Sequence, residues 1–483
     1  MGRICFQTSR IQFLDEPLLR SCYMTGLEGI AWQRDMTFSG NRLMIDRQTH
    51  ESGHFFFPWR SESGREFMLG TTSLREGAED YHLEVELARG TLHRLRGYLA
   101  DRSRQFELSQ NYSDQLTEAH EQLLEAVLSW RSDAALASKA ASRAIELSLS
   151  VINQLSVEDA EHLMEARHQA GMPNPMFGVK LGAMPEADEY RQQLAESFDS
   201  VMVPFPWREV SQDEGKYQFY EVDRMLEWAH QHGKKIFAGP LIELTEQALP
   251  QWIYLWQNDF TSIQNYVIQY VEEVVRRYKG RVHAWHTSSG LNSSSVLGFS
   301  EEQVVRLSVD IVETIRRLDN STPVIVSFDL PWGEYAANRR SDLSPLQFAD
   351  ALVRAELGIN GIGIDLNFGD SAVECTPRDF LELNQMLNQW SALELPLVLG
   401  VSIATADRKE DEQFPDGFWD DNAAMRMLKV LRSKPSVQAL FWNQMVDGTA
   451  QRAGGILNST GSPKQLLSQL RTLAAKKPGA DSV

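Results

Sequence analysis

A set of titratable side chains in the second half of the chain falls at the ends of short apolar runs. They are Glu243, His286, Asp329, Glu334, Asp365, Asp370 and Asp447. Carboxyls gathered at the ends of parallel strands can divide the roles of proton donor and proton acceptor between them. Glu243 with Asp365 is the pair such an arrangement would use as acid and base. The competing reading is that these are cap and loop carboxylates, which strand ends use routinely. His286 has the same two readings, a catalyst or a hydrogen-bonded core histidine. A metal site would need a cluster of such ligands, and only His286, Asp329 and Asp365 are candidates. No metal or other cofactor is expected.

The aromatics supply a second kind of chemistry, because flat rings stack on flat sugar faces. Twelve Trp and twenty-two Phe are more than a bland helical protein needs. Trp207, Trp252, Trp285, Trp332 and Trp442 fall at or just beyond apolar runs. Trp332 follows Pro331 and is expected to be the exposed one. Trp285 and Trp442 lie within their runs and read more readily as core. Nearer the start, Phe55, Phe56, Phe57 and Trp59 form a dense cluster that reads as a hydrophobic seam or a glycan platform.

These residues need elements to hold them. From Phe177 onward, short apolar runs alternate with amphipathic stretches of helical length. The runs are Phe177–Gly182, Ser200–Val203, Lys235–Ala238, Arg281–Trp285, Val324–Phe328, Gly361–Leu366, Leu397–Val401 and Ala439–Trp442. Eight such units over residues 173–475 predict an α/β fold of the (β/α)8 TIM-barrel type, whose sites lie at the C-terminal strand ends. Residues 1–79 read as a small β-rich, sandwich-like domain. Gly2–Phe6, Arg10–Leu14, Leu18–Met24, Asn41–Asp46, His54–Trp59 and Phe67–Thr72 are its candidate strands. Residues 80–172 carry apolar positions at helical spacing and predict three or four helices, the second capped by 111–114 and a break near Leu155 with a restart at Ser156–Asp159. Gly171-Met172-Pro173-Asn174-Pro175 reads as the linker into the barrel, and 476–483 as a disordered tail.

Bulk properties exclude several classes. The 483 residues are 42% hydrophobic and carry a net charge of −19. That charge repels phosphate backbones, so no nucleic-acid partner is expected. Cys5, Cys22 and Cys375 are an odd set with no CxxC pair, which argues against a disulfide framework or a structural zinc. No apolar run reaches the ~18 residues of a membrane span. The first residues lack the pattern of a signal peptide, so a cytoplasmic location is expected.

Several stretches of the barrel resemble family-10 glycoside hydrolases, the endo-xylanase family. Phe198-Asp199-Ser200-Val201, Trp207 and the run from Asp213 to Arg224 resemble F-N-S-V…K-W…E-P-x-x-G-x-F-x-F-x-x-A-D. Leu249-Pro250-Gln251-Trp252 resembles L-P-x-W, and the run from Arg277 to Trp285 resembles R-Y-K-G-x-I-x-x-W. Ile359 to Ile364 resembles I-D-G-I-G, and Gly455 to Asn458 with Ser462-Pro463-Lys464 resembles the closing L-L-x-x…P-K-P. The resemblance implies a barrel and two catalytic glutamates about 5–5.5 Å apart. Neither is present at its position. The motif W-D-V-V-N-E reads Trp285-His286-Thr287-Ser288-Ser289-Gly290, which puts Gly290 where the acid/base stands. The nucleophile position falls at Val401/Ser402, and the next acid is Asp407. The family's Q-x-H reads Asp365-Leu366-Asn367.

The resulting expectation is a divergent, catalytically inactive family-10-like protein that binds carbohydrate or another protein. Its ligand contacts would come from Trp207, His286, Asp329, Trp332, Asn367 and Trp442. Two alternatives stand beside it. One is an active O-glycosyl hydrolase using relocated carboxylates, Glu243 and Asp365. The other is a scaffold that forms oligomers through the helical segment.

Overall fold

The computed structural model describes residues 2–9, 16–60, 66–102, 109–185, 187–338, 343–368, 375–404, 421–448 and 454–475. Asp370, Asp407, the 10–14 run and the 476–483 tail lie outside the described residues. The chain forms two compact units. One comprises Met1–Asp159 with Trp332–Ser344 and Thr376–Gln385, and the other comprises Ala160–Pro331, Pro345–Cys375 and Met386–Val483.

The first unit contains two four-stranded sheets. Gly2–Gln7 lies between Arg42–Arg47 and Tyr81–His82 in one, with Arg34–Ser39 at its edge. Tyr23–Thr25 and His54–Arg60 are the inner strands of the other, with Ala31–Trp32 and Glu66–Gly70 outside them. Strand alternation buries Ile4 and Phe6 on one face, and Phe6 stacks on Phe55 with ring centroids 5.0 Å apart. The aromatic run is therefore largely seam: Phe55 and Trp59 are fully buried, and Phe56 stacks on Tyr23.

Two expectations for this region change. Leu18–Met24 is not one strand; a short helix, Glu16–Ser21, precedes the strand at Tyr23. Among the described residues the helical segment holds three helices, Leu83–Arg102, Gln110–Ser129 and Ala134–Gln169. The third runs unbroken through Ser156–Asp159, because Tyr98, Arg102 and Tyr112 bond to Asp159 and Glu158 and leave those polar side chains no reason to cap. The second is preceded by Ser109, upstream of the expected 111–114 cap. Leu83, Val85, Leu87, Ala137, Ala141 and Ile145 share a single core with the sheets.

The second unit is a closed barrel of eight parallel strands in sequence order. Strands one to eight are Met176–Lys180, Ser200–Val203, Lys235–Ala238, Ala284–His286, Val324–Asp329, Gly361–Phe368, Leu397–Ile403 and Val437–Trp442. Strand eight closes on strand one. Helices with one apolar face join them. The helix Glu301–Leu318 is typical: a Ser300/Gln303 capping box starts it and Val304, Leu307, Ile311 and Ile315 are buried. The lower barrel is filled by Met202, Phe237, Ala284, Ile325, Val398, Ala439 and Phe441. No helix among the described residues is long and apolar enough to cross a membrane.

Candidate functional site

Side chains alternate along a strand, so the positions two and four residues beyond an inward-facing residue also face inward. That rule, applied to the core residues of the lower barrel, specifies the upper layer. Met176 leads to Lys180, Ala284 to His286, and Ile325 through Ser327 to Asp329. Val398 leads through Gly400 to Ser402, and Phe441 to Asn443. Asp365 stands in register between Asp329 and Gly400. The barrel interior therefore turns from apolar to polar toward its C-terminal end, and the polar layer holds two aspartates on adjacent strands.

Glu243 reaches this layer by a separate route. Just after strand three, Ile242–Glu243 forms a short parallel ladder with Ser288–Ser289 and pairs Glu243 with Ser289. The Glu243 carboxylate lies 3.7 Å from the Lys180 ammonium, and both side chains are about a third exposed or less. Glu243 and Asp365, the pair expected from sequence, do meet in one electrostatic cluster, together with Asp329 and Lys180.

Asp329 is held from strand four. Its Oδ2 accepts the backbone N–H of Gly290, and the Ser289 hydroxyl lies 3.5 Å away. Asn292 clasps its backbone, donating to the carbonyl at 2.7 Å and accepting its N–H at 3.0 Å. Burial, reinforced by the charge of Asp365, pushes the Asp329 carboxyl up to about 8, against the pull of the Gly290 amide. Asp365 is also raised, by burial first, with Asn443, Lys180 and Ser289 opposing. Its Oδ1 accepts from Asn443 Nδ2 at 3.0 Å. Strand seven makes room for this: a β-carbon on Gly400 would collide with Asp365 Oδ1 and come within 2.6 Å of Asn443 Nδ2.

Gly290 and the Val401/Ser402 segment thus each border an aspartate of the neighbouring strand. Gly290 has φ +74°, and a β-carbon built there would lie 3.8 Å from Asp329 Oδ2. At strand seven, the space beside Val401/Ser402 at Gly400 is taken by Asp365.

The remaining expected residues are dispersed. His286 is fully buried, and burial followed by the Lys180 charge lowers it to about 3, so its imidazole is neutral at ordinary pH. Asn367 accepts from the Ser402 hydroxyl at 3.2 Å. Trp207 and Trp442, expected among the ligand contacts, are both buried. Trp207 is buried against Tyr270 and Trp252, and Trp442 is buried with its indole N–H donated to the Gly454 carbonyl. Trp332 is half-buried in the other compact unit, where the Arg378 guanidinium lies 4.7 Å over its ring and 3.6 Å from Glu334. Asp447 closes the loop after strand eight, accepting from Gly455 and pairing with Lys464 at 3.3 Å. Lys180 and Asn443 were not among the expected residues, although the inward alternation from Met176 and Phe441 signals both. Among the described residues, no group of three or more His, Cys, Asp or Glu side chains is arranged to hold a metal ion.

Fold and site together define a (β/α)8 barrel with a carboxyl cluster at its C-terminal mouth. Residues 174–288 match the family model of Glycosyl hydrolase family 10. The match covers the first half of the barrel and ends two residues short of Gly290. Endo-1,4-beta-xylanase 3 from two strains of Hypocrea jecorina is 28% identical over 103 residues, 21% of this chain and 27% of that protein. The chain thus spans about a quarter of the length of these curated relatives. Among solved structures, xylanase 10B from Thermotoga petrophila in complex with xylobiose aligns with TM-score 0.48 and 14% identity, covering 62% of this chain and 94% of that one. A thermostable mutant of Xyn10A from Cellvibrio japonicus aligns with TM-score 0.47 and 13% identity, covering 63% and 99%.

Proposed function

We propose that the barrel mouth is a carbohydrate site in which O-glycosyl hydrolysis runs on relocated carboxyls. One observation carries this reading: Asp329, at the edge of the space an acid/base glutamate would enter from position 290, is buried in register with a second carboxyl, Asp365, and both burial and that neighbour favour its protonated form. A buried carboxyl that stays protonated is what a general acid requires. Asp329 donates that proton to the glycosidic oxygen as the bond to the anomeric carbon breaks. Glu243, the more exposed acid beside Lys180, acts on the opposite partner. It attacks the anomeric carbon if the two carboxyls work about 5–5.5 Å apart, or takes a proton from the attacking water if they work about 6.5–9.5 Å apart.

The test is release of the aryl group from aryl-xylosides and of reducing ends from xylan. Asp329→Asn is expected to lower turnover about 100-fold or more, and Glu243→Gln comparably. Because the acid must be protonated, activity should hold below pH 8 and fall as pH rises through it. Turnover unchanged in both variants would end this reading. The second reading, binding without turnover, is favoured by the burial of both aspartates, 3% and 8% exposed. Saturable xylo-oligosaccharide binding with no hydrolysis would establish it. A concentration-dependent oligomer with no sugar binding would instead favour a scaffold.

A further inference from the structure

Lys180 and Glu243 leave a space between them that a ligand hydroxyl fits. Lys180 is the last residue of strand one, and alternation from Met176 turns its side chain into the barrel. Glu243 arrives from the short ladder beyond strand three. Their closest approach, Nζ to Oε2, is 3.7 Å. That is an ion-pair distance, longer than the roughly 2.7–3.2 Å at which a direct hydrogen bond closes. Among the described residues, the other carboxylate oxygen, Oε1, meets only the Thr245 hydroxyl, at 3.4 Å. The two side chains are 26% and 34% exposed, so both are open to a ligand.

The neighbouring donors are already committed. Gly290 gives its amide to Asp329, and Asn443 gives Nδ2 to Asp365 at 3.0 Å. Asn292 spends its side-chain amide on the Asp329 carbonyl. The Lys180 ammonium makes no hydrogen bond among the described residues, so its N–H donors remain for a ligand. An oxygen about 2.8–2.9 Å from both Nζ and Oε2 completes a triangle on that long base. To fill that corner it must accept from the ammonium and donate to the carboxylate, and a hydroxyl does both. A ligand carboxylate or phosphate would meet Glu243 as a like charge, and a ligand ammonium would meet Lys180 as one. The gap therefore selects a neutral hydroxyl.

We infer that Lys180 is a specificity-determining residue of this site, holding the 2-hydroxyl of the sugar whose glycosidic bond is cleaved against Glu243. The inference rests on the hydrolase reading for the choice of hydroxyl and on the Lys180–Glu243 geometry for the contact. The 2-hydroxyl is one bond from the anomeric carbon. With Oε1 of Glu243 directed at that carbon or at its attacking water, Oε2 lies beside the 2-hydroxyl. Hydrogen bonds to this hydroxyl strengthen in the transition state of glycoside hydrolysis. The substrate class is then glycosides with a free 2-hydroxyl, and sugars that are deoxygenated or acylaminated at that carbon are excluded.

The experiment titrates methyl β-xyloside and its 2-deoxy analogue into the full chain, followed by NMR, in the wild type and in Lys180→Met. The wild type should bind the parent about ten-fold more tightly or better, the size of a hydrogen bond to a charged group. Lys180→Met should bind the two glycosides alike, and a thermal melt checks that it folds. A wild type that binds both alike overturns the inference whatever the variant does. A preference that survives in a folded Lys180→Met also overturns it. Release of the aryl group from aryl-xylosides judges the hydrolase reading separately. If the preference is present and is lost in Lys180→Met, but the wild type releases no aryl group, the contact stands and the hydrolase reading falls. If aryl-xylosides are hydrolysed while neither glycoside is preferred, or neither binds, the reading stands and the contact falls.

Discussion

Both compact units bury carboxyls, and they treat them differently. In the first unit, Glu84 is completely buried. Its Oε1 accepts from the Thr8 hydroxyl at 2.8 Å, the Ser9 amide at 2.9 Å and the Ser138 hydroxyl at 3.4 Å. His82 Nδ1 lies 3.2 Å from its other oxygen. These partners come from just beyond the unit's first strand, from its last strand and from the third long helix, so one carboxylate ties the sheet to the helices. At the barrel mouth, Asp329 and Asp365 stand in register on adjacent strands with fewer donors than two anions require, and burial raises both. A buried acid with several convergent donors is a structural joint. A buried pair short of donors keeps a proton available, which is costly for stability and useful for chemistry. Burial alone does not tell the two apart; the count and origin of the donors do.

The comparison can be broken most directly at Glu84. Glu84→Ala strands its three donors, and loss of a buried charged partner costs about 3–5 kcal/mol. Denaturant unfolding should show that loss in the first unit, with the barrel carboxyl titrations unmoved. A cost under about 1 kcal/mol would remove the distinction drawn here.

The next largest effect is expected at Asp329. A carboxyl raised in the folded state is protonated there while the unfolded chain ionises at about pH 4. Its contribution to stability is full below that pH and is lost as pH rises toward about 8. Asp329→Asn carries no charge to bury, so its melting temperature relative to wild type should rise by several degrees between pH 4 and pH 9. A difference between the two proteins that stays flat with pH would contradict a protonated Asp329.

The smallest effect is expected at Gly290. Gly290→Glu places a side chain at φ +74°, where a residue with a β-carbon pays about 1–2 kcal/mol. The new carboxyl also starts within 3.8 Å of Asp329. The variant should fold with that modest loss and gain no turnover on aryl-xylosides. A gain would mean that the family's geometry survives beneath the substitutions.

Much of the barrel was legible in the sequence because its strands are buried on both faces. Runs such as Val324–Phe328 and Leu397–Val401 are almost wholly apolar, and amphipathic stretches alternate with the strands, one opening on the start signal Ser300-Glu301-Glu302-Gln303. Local errors arose where a polar cluster looked like a boundary. Ser156-Val157-Glu158-Asp159 reads as a helix start, yet Glu158 and Asp159 answer Arg102 and two tyrosines from other helices. Trp207 misled for a related reason: it sits where a sugar platform could be, and packing against Tyr270 shows it as core, whereas Trp442, within its apolar run, already read more readily as core.

The sequence by itself determined the alternation that closes eight strands, the absence of acids at positions 290 and 401/402, and the candidacy of Glu243, Asp329 and Asp365. Those are properties of residue type and periodicity along one segment at a time. Only the tertiary structure decided that Asp329 borders Gly290 and Ser289, and that Asp365 lies across Gly400 to reach Asn443. Register between neighbouring strands sets those relations, and register is fixed by how the whole barrel closes rather than by any strand alone.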